Sequence, residues 1–141
     1  MADGWSVDVD SAALIAELNT LGDFAQPYVN EAAHQSADSI VREAKSRLAN
    51  KLSGTSTGET EAGIQDRPAY DGNGWVVISD NSRMPNLPLW LELGTKRHKA
   101  GGHSMPALSY FYSSVQLEEG PHLRRIEQAV TDAIDAKGLG A

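Results

Sequence analysis

Four histidines, a glycine-bounded Ser/Thr run and a pair of adjacent glutamates are the residues of this chain that could do chemistry. His98 and His103 stand five apart, with His34 and His122 remote from them. A zinc site wants three or four closely spaced ligands and a supporting carboxylate. Here Lys96, Arg97 and Lys99 flank one histidine and disfavour a cation. All four histidines therefore read as surface residues. Gly54-Thr55-Ser56-Thr57-Gly58 contains glycine but lacks the Gly-Lys-Ser/Thr ending of a phosphate loop and follows no strand. Glu118-Glu119 lies in a polar segment beside Gly120 and reads as solvated. The chain has no Gly-x-Ser-x-Gly elbow and no His-Glu-x-x-His helix. The residues define no catalytic set, no metal site and no cofactor site.

The most informative block is 89–106, Leu-Trp-Leu-Glu-Leu-Gly-Thr followed by Lys-Arg-His-Lys-Ala-Gly-Gly-His-Ser-Met-Pro. Leu89, Leu91 and Leu93 alternate with Trp90, Glu92 and Gly94, the period of a strand with one buried face. Trp90 and Glu92 then occupy the opposite face. Trp is the residue most often found at the energetic centre of an interface. Two readings stand for that face: contact with another protein, or cover by the chain's own helices. The strand breaks at Gly94-Thr95 into a basic loop. Its Lys96, Arg97 and Lys99 suit an acidic partner or DNA passing close by; the alternative is a solubilising connection. The interface candidates are therefore Trp90, Glu92, Gly94, Thr95, Lys96, Arg97 and Lys99.

The elements that must position this block follow from periodicity. Trp5, Val7 and Val9 alternate with Ser6, Asp8 and Asp10, which predicts a short first strand. Asp10-Ser11 can cap a helix carrying Leu14, Ile15 and Leu18, ended or interrupted at Gly22. Pro27 suits the first turn of a second, longer helix running to about Leu52. Its stripe is Val29, Ala33, Ala37, Ile40, Val41, Ala44 and Leu48, small enough for close approach to a sheet or a second helix. Residues 53–63 read as a flexible polar loop. A strand from Gln65 to Tyr70 is confined to an edge or bulge by Pro68. Asp71-Gly72-Asn73-Gly74 predicts a hairpin turn, and Trp75 to Ser79 a central strand. A second flexible loop spans 95–104. Tyr110, Phe111 and Val115 begin a helical part, interrupted near Gly120-Pro121. Leu123, Ile126, Val130 and Ile134 then form a stripe that ends at Gly138 and Gly140. The layout is one α+β domain over residues 1–141: a small antiparallel β-sheet packed by a long N-terminal helix and a C-terminal helix.

Bulk properties exclude whole classes. A chain of 141 residues, 40% hydrophobic and 22% charged, has the make-up of a single globular domain. Its net charge of −7 argues against general nucleic-acid binding. The charge is uneven: residues 1–66 hold eleven acids and four bases, residues 67–110 three acids and five bases, residues 111–141 five acids and three bases. An acidic end and a mildly basic middle favour head-to-tail docking on copies of the chain or on a ring of another protein. With no cysteine there is no disulfide framework, which suits a reducing cytoplasm. No stretch reaches the roughly 20 apolar residues of a membrane helix, and Met-Ala-Asp-Gly-Trp-Ser does not open like a secretory signal.

In element order the chain resembles the gene-product-ten-like family of tailed-phage tail components, small proteins of the head–tail joining region of siphophages. The pieces that carry the resemblance are Ala44-Lys45 late in the long helix, Thr57-Gly58 in the loop after it, and Trp90-Leu91-Glu92-Leu93-Gly94-Thr95. Met105-Pro106-Ala107-Leu108 matches the family's proline stop, and Leu123 to Ala136 its final helix. Leu93 stands where the family commonly has an aromatic, and the loop from Thr95 to Met105 is long and basic. The resemblance implies a structural virion protein of the neck, not an enzyme, that joins head to tail or completes the head-proximal end of the tail. It implies a sixfold ring of this chain, contacts with other neck, connector and tail-tube proteins, and DNA in a central channel. Assembly would take place in the host cytoplasm. The alternatives are a tail terminator proper or, in a different class, a small soluble enzyme or ligand-binding domain.

Overall fold

In the computed structural model, which describes residues 11–52, 58–95 and 106–138, one unbroken helix, α1 (Ser11–Lys51), passes through both Gly22 and Pro27. The break expected at Gly22 does not occur, and Pro27 lies inside the helix rather than at its start. A glycine in a helix interior costs only about 1 kcal/mol relative to alanine. Proline forgoes the bond to the carbonyl four residues back; here that is Asp23, on an exposed stretch where water can replace it. From Ala25 onward α1 is held by tertiary contacts: Ala25, Ala32, Ser36, Ala37, Val41, Ala44 and Leu48 are all buried.

Part of the polar segment 53–63 is also ordered. Gly58, at φ 78°, turns the chain into a single helical turn, α2 (Glu59–Ala62). Two antiparallel strands follow, β1 (Ile64–Pro68) and β2 (Trp75–Ser79), in register from Ile64 opposite Ser79 to Pro68 opposite Trp75. The turn Asp71–Gly74 closes the hairpin as its composition predicts, with Gly72 and Gly74 both at positive φ. Asn30 of α1 holds that turn from below: its Oδ1 accepts from Gly74 N–H at 3.0 Å and its Nδ2 donates to the Gly72 carbonyl at 3.3 Å. Among the described residues the sheet has these two strands, so β2 is an edge strand and not a central one.

The largest departure concerns residues 89–94. They belong to a helix, α3 (Leu87–Leu93), not a strand. Pro88 sits in its first turn and Gly94, at φ 76°, ends it, the usual asymmetry of proline inside the start and glycine past the end. Leu87, Pro88 and Leu91 face the core, while Leu89 and Leu93 are exposed. Alternation over six residues cannot be told from a short helix by period alone; burial of positions four apart decided it. A long final helix, α4 (Tyr110–Ala136), continues through Gly120-Pro121, where an interruption was expected. It runs antiparallel to α1, from Tyr110 beside Leu48 to Lys137, whose Nζ lies 5.3 Å from the Phe24 ring centroid. Its buried positions include Tyr110, Ser114, Ala129 and Ala133; Leu123 and Val130 of the expected stripe are exposed. The expected first strand at 5–9, the polar residues 53–57 and the basic loop at 96–105 lie outside the described residues.

The core gathers Val41, Ala44 and Leu48 of α1 with Ile64 of β1, Leu91 of α3 and Tyr110 of α4. Gly63 stands at its edge, where the chain leaves α2 for β1. Its carbonyl accepts from Asp80 N–H at 3.1 Å, and a Cβ built on it would lie 1.7 Å from the Asp80 carbonyl oxygen. The atom it meets is backbone, so the clash can be relieved only by moving the two segments apart. Gly63→Ala is expected to destabilise the fold by about 1–3 kcal/mol, the usual cost of overpacking, read as a lower urea midpoint with an unchanged slope.

Candidate assembly surface

Large apolar side chains stand exposed together on the outer side of α3. Leu93 (67% exposed) stands four residues from Leu89 (56%) and three from Trp90 (43%), spacings that make it a neighbour of both on the helix surface. Apolar residues left clustered on a surface mark interaction sites. Trp90 of the sequence candidates is thus exposed, as an interface residue must be.

Glu92 has a different task. Its carboxylate accepts from Phe111 N–H through Oε2 and from Tyr112 N–H through Oε1, both at 2.8 Å. These are the second and third residues of α4, whose N–H groups have no partner within the helix. Ser109, at the position that normally caps, has φ 46° and makes no such bond. A carboxylate from α3 therefore caps α4, and its negative charge suits the positive end of that helix. The return bonds run the other way: Leu108 N–H donates to the Leu91 carbonyl at 2.8 Å and Ser109 N–H to the Glu92 carbonyl at 3.2 Å. Lys51 Nζ donates to the Leu108 carbonyl. Gly94 N–H bonds the Trp90 carbonyl at 2.7 Å and closes α3. Thr95 is half-buried and hydrogen-bonded. The chain thus leaves α3 at Gly94-Thr95 and returns on it at Leu108-Ser109. Lys96, Arg97 and Lys99 themselves lie outside the described residues.

Below that corner Tyr110 is buried, with its hydroxyl 2.8 Å from Ser79 Oγ. Burial raises its pKa above the ordinary tyrosine value; the Ser79 bond opposes the rise and the Glu92 charge adds to it.

A second concavity went unseen in the sequence. An open groove of about 330 Å³ lies between β2 and α4 with α1 as its floor. Ala33, Ala37 and Ile40 form the floor, Trp75 and Val77 one wall, Tyr112, Val115 and His122 the other. Four polar side chains at or near it, His34, Ser36, Glu118 and His122, are committed to partners. His34 stacks on Trp75, with ring centroids 3.7 Å apart and planes 9° from parallel, and its Nε2 is 3.5 Å from Asp66 Oδ2. His122 Nδ1 is 2.8 Å from Ser36 Oγ, which also accepts from Arg125 at 3.2 Å. Glu118 pairs with Arg125 and is not the solvated carboxylate its sequence setting suggested. His122 is therefore a tethering residue, while His34, its side chain 40% exposed, stacks on Trp75 at the surface. The signal for the groove lay in the helical spacing of Tyr112 and Val115, outside the stripes of the core. Comparison with protein families, curated proteins and solved structures gives no match for this chain.

Two outcomes follow from the corner. Glu92→Gln leaves an amide oxygen able to serve one of the two N–H groups, and should cost about 1 kcal/mol of stability, measured by urea unfolding, with helicity at the start of α4 lost first in amide exchange. For Tyr110 the folded state holds the phenol proton more tightly than the unfolded chain. The stability this confers is complete below the unfolded value of about 10 and is lost as pH rises through the higher folded value. Tyr110→Phe should lower stability by about 1 kcal/mol at neutral pH through loss of the Ser79 bond, and should flatten the alkaline fall in the unfolding midpoint.

Proposed function

We propose that the chain is a structural protein of a tailed-phage neck, a ring subunit that joins head to tail or completes the head-proximal end of the tail. The observation that carries this reading is the outer face of α3. Leu89, Trp90 and Leu93 stand exposed on a helix fixed at both ends: by Pro88 and Leu91 in the core, and by the Glu92 bonds to α4. A rigid apolar patch beside a basic segment is what an assembly contact requires, because little conformational freedom is lost on docking. The same stretch, Trp90 to Thr95, carries the resemblance to the phage family. The acidic end and basic middle of the chain favour heterologous contacts, which close into rings when the rotation permits.

In this reading the surface of α3 meets a neighbouring subunit or adjoining ring, and Lys96, Arg97 and Lys99 face acidic groups or DNA. The described helices include none long and apolar enough to cross a membrane, and the proposed location is the virion.

Native mass measurement and negative-stain imaging of the pure protein, alone and with isolated tails or capsids, test the proposal. Sixfold rings on the tail or neck are expected; a closed dimer in solution and in the particle would overturn it. Trp90→Ala should leave the urea midpoint nearly unchanged and weaken ring formation by about 2 kcal/mol or more, as loss of an interface aromatic does.

A further inference from the structure

The groove beside β2 offers more than a depression, because one of its walls is an open strand edge. Asp80 N–H bonds the Gly63 carbonyl and Ala69 N–H bonds the Gly74 carbonyl. Both pairs belong to the β1–β2 register. Bonded pairs recur every second residue in an antiparallel ladder, so Val76 and Ile78 face β1. The backbone N–H and carbonyl groups of Trp75, Val77 and Ser79 then point the other way, toward α4. The outer edge of β1 is blunted by Pro68, which has no N–H, and by the charged Asp66. The outer edge of β2 has neither device, and among the described residues no strand pairs with it. Unprotected edges of this kind are templates for strand addition.

An added strand would lie over α1, with alternate side chains directed onto Ala33, Ala37 and Ile40 and the others toward water. Residues 5–9 have that pattern: Trp5, Val7 and Val9 on one face, Ser6 and Asp8 on the other. The small alanines leave room for an indole. Reach decides which copy supplies the segment. From Ser11 to Ala33 the continuous α1 spans about 33 Å at 1.5 Å per residue. From Ser11 back to Trp5, fully extended chain covers at most about 20 Å. Residues 5–9 thus cannot lie in the groove of their own chain.

We propose that residues 5–9 of one copy add as a third strand to the outer edge of β2 in a neighbouring copy, with Trp5, Val7 and Val9 seated on the α1 floor. The contact is head-to-tail, since donor segment and acceptor groove are different surfaces of one chain. It deepens the assembly reading and rests on it only in needing a second copy.

The chain has no cysteine, so introduced thiols report without background. Val7 is the middle of the segment and meets the middle of the groove in either strand direction. Full-length chain carrying Val7→Cys, mixed with chain carrying Gln116→Cys at the groove rim and treated with a short bismaleimide, should give a covalent dimer. Ser82→Cys, remote from the groove, should not. Adding Trp5→Ala to the donor should weaken the association about tenfold, as loss of an aromatic anchor does. Deleting residues 2–9 should abolish self-association without lowering the urea midpoint. In a chain carrying both Val7→Cys and Gln116→Cys, linkage within single molecules would overturn the inference. So would absence of linkage, or equal self-association by the shortened chain. Rings that persist on tails after the deletion would overturn this contact and leave the neck reading standing.

Discussion

The close approach of α1 and α4 is the contact on which the rest of the molecule depends. It is built from small side chains: Ala25, Ala32, Ser36, Ala37 and Ala44 on one helix, Ser114, Ala129 and Ala133 on the other, all buried. Such surfaces gain little from area alone, since an alanine buries little apolar surface. They gain from dense packing of the two backbones. The polar link through Ser36, which meets both His122 and Arg125, adds direction to a contact that alanines alone leave free to slide. The same pairing explains why neither Pro27 nor Pro121 ends its helix. Each proline forfeits one hydrogen bond on an exposed side, while the opposite face keeps its tertiary contacts on both sides of the residue.

Given that pairing, the position of everything else follows from two tethers. Asn30 fixes the tip of the hairpin to α1, so the sheet cannot swing away from the helix that supports it. The corner between α3 and α4 fixes the other end. There each helix satisfies the unpartnered groups of its neighbour: the Glu92 carboxylate serves the N–H groups that open α4, and the carbonyls of Leu91 and Glu92 receive Leu108 and Ser109. Buried helix ends need such partners, and here a seven-residue helix obtains them from the chain that leaves and rejoins it. The outward face of α3 is thereby held by bonds made on its other sides.

In the proposed assembly the groove and the α3 face would serve in different ways. The first presents backbone groups along a strand edge, and main-chain bonding supplies affinity with modest demands on side-chain identity. The second presents a tryptophan and two leucines, where shape and desolvation discriminate between partners. A subunit carrying both can hold its neighbour through one and meet a different protein through the other.

The sequence by itself determined the elements whose signals are local. The Asp71–Gly74 turn, the hairpin flanking it, the edge position of Pro68 and the α+β layout were all legible there, because turn residues and apolar periods act within a few residues of themselves. So was most of the α1 stripe from Ala37 to Leu48. The tertiary structure leaves Trp90 43% exposed on a helix. That structure also decided whether Gly22, Pro27 and Gly120-Pro121 break a helix. The cost of each is local and small, while the contacts that outweigh it come from residues distant in the chain. It decided that Leu89–Leu93 is helical, since six alternating residues fit either period and only burial of Leu87 and Leu91 against the core selects one. It made Glu92 the cap of α4, whose N–H groups lie 19 and 20 residues ahead. No local pattern encodes a partner at that distance; the fold has to bring it there.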